Sequence, residues 1–529
     1  MRINRRLSII IILLALVISG AALAPLSPSG FLAAEEAEAS FLDTLARVPT
    51  PPSDEAGFVV GGSGVFLPTV NQDSSRAYVR DWPQVQRDPM RTGYSPEKLG
   101  HSFKVAWTHP FQPERVNPQV QAIVASDRVF VGTEMGNLYA LDAKSGQVRW
   151  VYKVGSPIVS SVAVLGDTVF TSAMDGAVYA IGVSSGKLVW EKQLSDRLGI
   201  SSAPLLADDK LFVGGRDGTF YALEPSSGAI LWSFDAGAAI LQTAAWSRGR
   251  VIFGAVDMRV YALSSTNGTL VWRSERLDGV ALKDYWPVIW NGKVIVRTMG
   301  FGDIEPGFPF EWFGASSDWG WLSKYGPTIA AGGLVNVPDA MQAQNEAMAN
   351  YYTKPSGSDI SLYILDETSG KQSFAVPQWT VQTMHGATTP PCIDRDGMLV
   401  VPVLFVRSGW GRLDLQTQRL VDILYDHKTR SGDPMQQNDT PAGMGNKDEN
   451  LNVTCAKNMI LAMHIQEGNA NFTGWFDQNS RKWKLLEAGY TSGEMSSNTQ
   501  GGGGNPASIA GGMVFHISYH ELIARTTLP

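Results

Sequence analysis

Two cysteines, Cys392 and Cys455, are all that a chain of 529 residues contains. That is too few for a disulfide scaffold or a cysteine-built metal site. Charge is sparse as well: 18% of the residues are Asp, Glu, Lys or Arg, which excludes an extended coiled coil. With 43 basic against 50 acidic residues the net charge is −7, and no cluster of Lys and Arg offsets it. Nucleic acid is therefore not an expected partner. Apolar residues, glycine and aromatics are plentiful. A hydrophobic fraction of 44% excludes a disordered chain, and 54 glycines with 16 tryptophans suit a large all-β protein with many tight turns. Length alone would give about three domains, but repeat folds run long as single units.

Residues 1–24 read as an address. Arg2, Arg5 and Arg6 precede an apolar run from Leu7 to Ala24, with small residues at Ala22 and Ala24. These are the parts of a secretory signal, although Pro25 is awkward after the cleavage position, and the run is also long enough to span a bilayer. The segment is either a signal peptide or an uncleaved membrane anchor. Both export the remainder to a periplasmic or extracellular compartment, because the basic head stays in the cytoplasm. No cysteine lies nearby to carry a lipid. Residues 25–80, with Glu35, Glu36 and Glu38 and then Pro49, Pro51 and Pro52, read as a linker of low order.

A repeat fills the next part of the chain. Val129-Phe130-Val131-Gly132 leads to Leu138-Tyr139-Ala140-Leu141-Asp142, then Ser145-Gly146 and Trp150. The pattern recurs with Tyr179 and Trp190, Tyr221 and Trp232, and Tyr261 and Trp272. Each Tyr-to-Trp interval is 11 residues, whereas the repeats are spaced 40, 42 and 40. A fixed interval inside a variable period marks one rigid hairpin with the slack in the connections. Alternating apolar residues predict half-buried strands, and three glycine- or aspartate-bearing turns separate four of them per repeat. Four strands per roughly forty residues is a propeller blade. The register continues at Tyr363 and Phe374, at Leu413-Asp414 and at Phe476-Asp477, and a last strand pair runs from Met513 to about Arg525. That leaves an eighth blade one outer strand short, and Lys104–Thr108 is available to complete it. Residues 81–529 are thus expected to be an all-β, eight-bladed β-propeller, a monomeric ring without an exposed closing edge.

The run Ala140-Leu141-Asp142 to Trp150 and its three closest copies resemble the tryptophan-docking motif of the quinoprotein-like propellers, the pyrroloquinoline-quinone (PQQ) repeat family. The stretch Asp81-Trp82-Pro83-Gln84-Val85-Gln86-Arg87-Asp88, with Arg91-Thr92-Gly93, is similar to the segment that opens many of its members. The resemblance implies that Trp150, Trp190, Trp232 and Trp272 close each blade against the next, at roughly 2–3 kcal/mol per buried indole. The family holds quinone-dependent dehydrogenases and noncatalytic members, among them the scaffold of the outer-membrane β-barrel assembly machinery, and fold alone does not choose.

The dehydrogenase reading needs PQQ, a Ca²⁺ held by oxygen ligands and a carboxylate base. Adjacent cysteines usually close a ring over that quinone, whereas these two are 63 residues apart. Asp394-Arg395-Asp396-Gly397 begins like a calcium loop but has Phe405 where the twelfth ligand belongs, and aligns with the interstrand turns. His516 and His520, on a strand, would stand roughly 13 Å apart, too far to share one ion. No catalytic residue, metal site or cofactor is therefore expected. The expected function is binding of a protein partner or an extracellular polymer, the alternative being a PQQ- and Ca²⁺-dependent alcohol or sugar dehydrogenase. Cys392 and Cys455, both just before a blade hairpin, would form a disulfide if their Cα atoms come within about 7 Å.

The candidate binding surface is aromatic. Residues 301–359 interrupt blade 5 with ten aromatics, about 17% of the insertion against 10% for the chain. That is too aromatic for a flexible linker, and Met341–Met348 predicts one short helix. A folded cap is expected over one mouth of the ring, near Asp284, Tyr285 and Trp286. Its Trp312, Trp319 and Trp321 are either the cap's own core or a stacking surface for a sugar or partner. His385, ahead of an inner strand, is expected to face the axial channel, either as a hydrogen-bonded wall residue or as part of the binding surface, and polar stretches at 388–391, 435–446 and 493–505 lead into blades 6 to 8.

Overall fold

The structure is a computed structural model that describes residues 80–117, 119–195, 198–277, 282, 285–298, 360–377, 390–404, 408–424, 449–465, 473–480, 482–485, 506–517 and 521–528. The N-terminal apolar segment, the linker up to residue 79, the blade 5 insertion with its expected helix, Asp284, His385 and His520 lie outside these residues.

The strands form eight sheets, seven of four strands and one of five. Blade 1 is typical. Ile123–Ala125 is innermost, followed outward by Arg128–Gly132, Asn137–Asp142 and Val148–Lys153, each antiparallel to the last. The inner strands are buried on both faces, while the outermost alternates between exposed and half-buried residues. The burial follows composition: β-branched and aromatic residues fill the strands that neighbouring blades cover, and Arg, Lys and Tyr enter where water reaches one face. Blades 2, 3 and 4 repeat the plan from Ala163 to Gln193, Leu205 to Asp235 and Ala245 to Arg273.

The eighth blade is composite. Ser508–Ala510, Met513–Ile517 and Glu521–Leu528 come from the C-terminal end of the chain, and Ser102–Pro110 pairs antiparallel with Glu521–Leu528 as the outermost strand. The expected closing strand therefore extends two residues further at each end.

Antiparallel order sorts the connections into two ends. First-to-second and third-to-fourth turns share one end and none exceeds six residues. Second-to-third connections and the passages to the next blade share the other end, where residues 298–359, 378–391, 425–448 and 486–507 separate consecutive strands.

Blade is tied to blade by indoles. The outer strands of blades 1 to 4 each slip register just before Trp150, Trp190, Trp232 and Trp272, which turns the ring toward the next blade. Their indole N–H groups donate to Val183 O (2.8 Å), Pro225 O (2.9 Å), Ser265 O (3.2 Å) and Glu367 O (2.9 Å). Each ring lies on a glycine of the next blade. A Cβ on Gly186, with φ +64, would stand 2.6 Å from Trp150 Cγ, so both the backbone conformation and the close approach require glycine there. Trp272 is buried and the other three are half-buried, so about 1–1.5 kcal/mol apiece is the better magnitude for those three. Trp107 in the closing strand makes the same contact, donating to Ala143 O (3.0 Å) and covering Gly146.

A second repeated contact sits at the other end. In blades 2 to 4 the tyrosine hydroxyl meets the aspartate four residues earlier: Tyr179 to Asp175 (2.7 Å), Tyr221 to Asp217 (3.5 Å) and Tyr261 to Asp257 (2.6 Å). Blade 1 has Met135 at that position. Its Tyr139 donates instead to Glu114 (2.5 Å), which also accepts from Thr133 (2.5 Å) and Asn137 (2.9 Å). Burial, then the Glu114 carboxylate, pushes the Tyr139 hydroxyl up to about 12.

Candidate functional site

Innermost strands face a problem of edges: on the axial side their backbone groups have no neighbouring strand, and buried unpaired N–H groups are costly. In this chain residues 81–99 solve it. The segment winds past the blades in chain order. Trp82 exchanges two backbone hydrogen bonds with Val124 of blade 1 (2.7 and 3.0 Å). Val164 of blade 2 donates to Pro83 O (2.8 Å) and Leu206 of blade 3 to Gln84 Oε1 (3.1 Å). Trp246 of blade 4 donates to Pro89 O (2.7 Å), Ile289 of blade 5 to Met90 O (2.9 Å), Ile393 of blade 6 to Thr92 O (2.8 Å) and Cys455 of blade 7 to Gly93 O (2.9 Å). Glu97 completes the circuit, its carboxylate accepting from Gly511 N (3.0 Å) and Gly512 N (2.7 Å) of blade 8.

Both ends of this strap lie at the short-turn end. Asp81 accepts from the Ser126 backbone, and the Glu97 partners belong to the first turn of blade 8. Its middle reaches inward, where Gln86 N donates to Gln121 Oε1 (2.8 Å) and Gln121 Nε2 spans to Pro506 O (3.1 Å). One of the strap's charges is enclosed. Arg91 is fully buried, donating to Val85 O (2.7 Å) and Ala244 O (2.9 Å), and burial pushes its guanidinium down to about 9. Asp88 accepts from the hydroxyl and amide of Thr92, and desolvation raises its carboxyl. Trp82, Pro83, Arg91 and Gly93 were legible as a family-like opening segment. Their role was not, because the partners stand up to several hundred residues away in sequence.

Cys392 and Cys455 meet beside the strap, joined at 2.05 Å with Cα atoms 5.9 Å apart, so the disulfide ties the innermost strands of blades 6 and 7. Asp394–Gly397 is the turn between two strands of blade 6. Asp394 accepts from Asp396 N and Met398 N, and both aspartates hold Arg412. His516 is buried against Arg525, with Nδ1 2.9 Å from the guanidinium. Burial and then that cation push its imidazole well below the usual value.

The expected binding surface needs one correction. Trp286 is 3% exposed and covered, so it offers no surface in this structure. It packs edge-on against half-buried Tyr285 at 5.6 Å, and Tyr285 takes a left-handed φ of 58° while its carbonyl accepts from Thr243 N (2.8 Å). Trp312, Trp319 and Trp321 fall outside the described residues. Among the described residues, exposed large apolar side chains at the long-connection end include Met135 (58%), Leu198 (54%) and Val256 (38%).

Among the described residues no group of three or more His, Cys, Asp or Glu side chains is placed to hold a metal ion. The two cysteines bridge blades rather than forming a ring of adjacent residues.

Eight antiparallel sheets in a ring, closed by its N-terminal strand and pinned by Trp–Gly contacts, define an eight-bladed β-propeller. Within that class, the family described as outer membrane protein assembly factor BamB matches residues 102–207 and 175–299, the most regular blades. Among solved structures, the quinohemoprotein alcohol dehydrogenase of Comamonas testosteroni aligns at 10% identity and TM-score 0.53, over 86% of this chain and 82% of that one. The dehydrogenase ADHIIG of Pseudomonas putida HK5 aligns at 12% identity and TM-score 0.52, over 87% and 82%. BamB from Moraxella catarrhalis aligns at 13% identity and TM-score 0.47, over 80% and 99%. No curated protein matches the sequence. At these identities the structural likeness is one of fold.

Proposed function

We propose that the chain is an exported, noncatalytic scaffold that binds a protein partner or an extracellular polymer through the long-connection end of its ring. One observation carries the reading. The short-turn end has no connection above six residues and is where both ends of the strap lie, while the strand ends that flank residues 298–359, 378–391, 425–448 and 486–507 lie at the opposite end. Binding residues gather on connections held by a rigid frame. The family match to an assembly factor agrees with a scaffold. Export rests on Arg2, Arg5 and Arg6 before the apolar run Leu7–Ala24, which tethers the ring to a membrane if it is not cleaved.

Photocrosslinking residues placed at Met135 and Val256, at the long-connection end, and at Lys144 and Lys187, in short turns, test this in cells. Adducts are expected from the first pair alone. Adducts confined to the second pair would refute the placement. A stoichiometric absorbance change on adding PQQ and Ca²⁺, together with substrate-dependent dye reduction, would replace the scaffold with a dehydrogenase.

A further inference from the structure

We infer that residues 82–97 are an internal ligand of the ring: a strap that seats as a unit on the innermost strands, stays bound without its covalent link to the blades, and locks all eight of them from the axis. Three features carry this. Every blade is contacted, and the bonds from the inner strands fall in chain order from Trp82 on blade 1 to Gly93 on blade 7, with the Glu97 carboxylate on blade 8, so the strap spans the full circle. In blades 1 to 6 the donor occupies the same place, the second residue of the innermost strand: Val124, Val164, Leu206, Trp246, Ile289 and Ile393. The inner wall thus presents a repeated set of backbone donors, and the strap supplies the acceptors, five of them its own backbone carbonyls in these blades. Recognition of this kind is the logic of strand addition, in which main-chain hydrogen bonds hold an extended peptide on an open edge.

The strap is also distinct from the closure at the rim. The strand Ser102–Pro110 closes the ring at its outer edge through Glu521–Leu528, while the strap bonds along the inner strands and, at Glu97, to the first turns of blades 7 and 8. Leu99 marks the boundary between them, held by a reciprocal pair of hydrogen bonds with Asn458 (2.9 Å each). Trp82, Val85 and Leu99 are buried, which adds apolar contact to the backbone bonds.

The test uses the full chain with a protease-site loop inserted between Gly100 and His101 and cut after folding. The N-terminal fragment is expected to co-elute with the cut ring through native gel filtration and to separate only in denaturant. The same cut in a Gly93→Ala chain should release the fragment at least tenfold faster. Gly93 has φ +62, and a Cβ there would stand 2.1 Å from Gln86 Oε1. The inference is overturned if the fragment leaves the cut protein while the ring keeps its circular dichroism and melting temperature. It is overturned equally if cutting the loop unfolds the ring, since the strap would then depend on its covalent link.

Discussion

Truncation after Tyr519 removes the third strand of blade 8 and should unfold the ring rather than trim it. The lost segment carries Leu522, Ile523 and Ala524, all fully buried. It is also the partner of Ser102–Pro110 from Ser102 opposite Leu528 to Pro110 opposite Glu521, so the closing strand is left with no sheet to join. Phe103, packed at 4.8 Å against Trp475 of blade 7, is then uncovered as well. At about 1.5–3 kcal/mol for each fully buried Leu, Ile or Phe, these three side chains alone account for about 5–9 kcal/mol. A whole domain is stable by only about 5–15 kcal/mol, so the loss is of the order of the total. Circular dichroism melting of the intact and truncated chains measures it. The expected result is loss of the cooperative transition or a fall of many degrees. A single transition at the original temperature would show that the ring does not depend on this closure.

Other perturbations separate the remaining contributions. Reducing the Cys392–Cys455 bond opens a loop with a sequence separation of 63, worth about 4 kcal/mol by loop entropy; an unchanged urea midpoint with reductant would contradict that. Glu114→Ala strands the donors of Thr133, Asn137 and Tyr139 and should cost about 1–3 kcal/mol. Met135→Asp restores the carboxylate that blades 2 to 4 use, so the double variant should recover part of the loss; additivity of the two substitutions would reject the substitution of one carboxylate for the other. The Arg149 guanidinium and the Ser145 hydrogen bonds hold the Asp142 carboxyl down to about 2. The unfolded chain therefore binds the extra proton between about pH 4 and pH 2, and stability contributed by this group is complete above that window and lost as pH falls through it. Asp142→Asn should flatten the fall of the urea midpoint there, and an identical pH profile would assign the acid sensitivity to other carboxylates.

The sequence by itself determined the blades. The 11-residue interval from Tyr to Trp, the Ser-Gly turns and the alternating strands are local signals, because hairpin geometry depends on neighbours a few residues away. They located four regular blades, three degraded ones and the composite eighth, including the strand near Lys104–Thr108 that completes it. Tertiary structure decided what joins those blades. Trp107 was overlooked as a docking residue because the tyrosine that marks the motif is missing: Pro96 stands eleven residues before it, and its hairpin partner Glu521–Leu528 comes from the far end of the chain. Trp286 read as surface because an aromatic beside an insertion carries no mark of the packing that covers it. Met135 and Glu114 exchange roles across a connection that a periodic pattern cannot see. Asp81–Gly93 was recognisable as an opening segment, yet its backbone bonds reach partners from Val124 to Cys455, and hydrogen bonds between distant main-chain groups leave no trace in residue type. A repeat writes its local geometry into sequence forty residues at a time, whereas the axis of a ring exists only once all eight blades have closed around it.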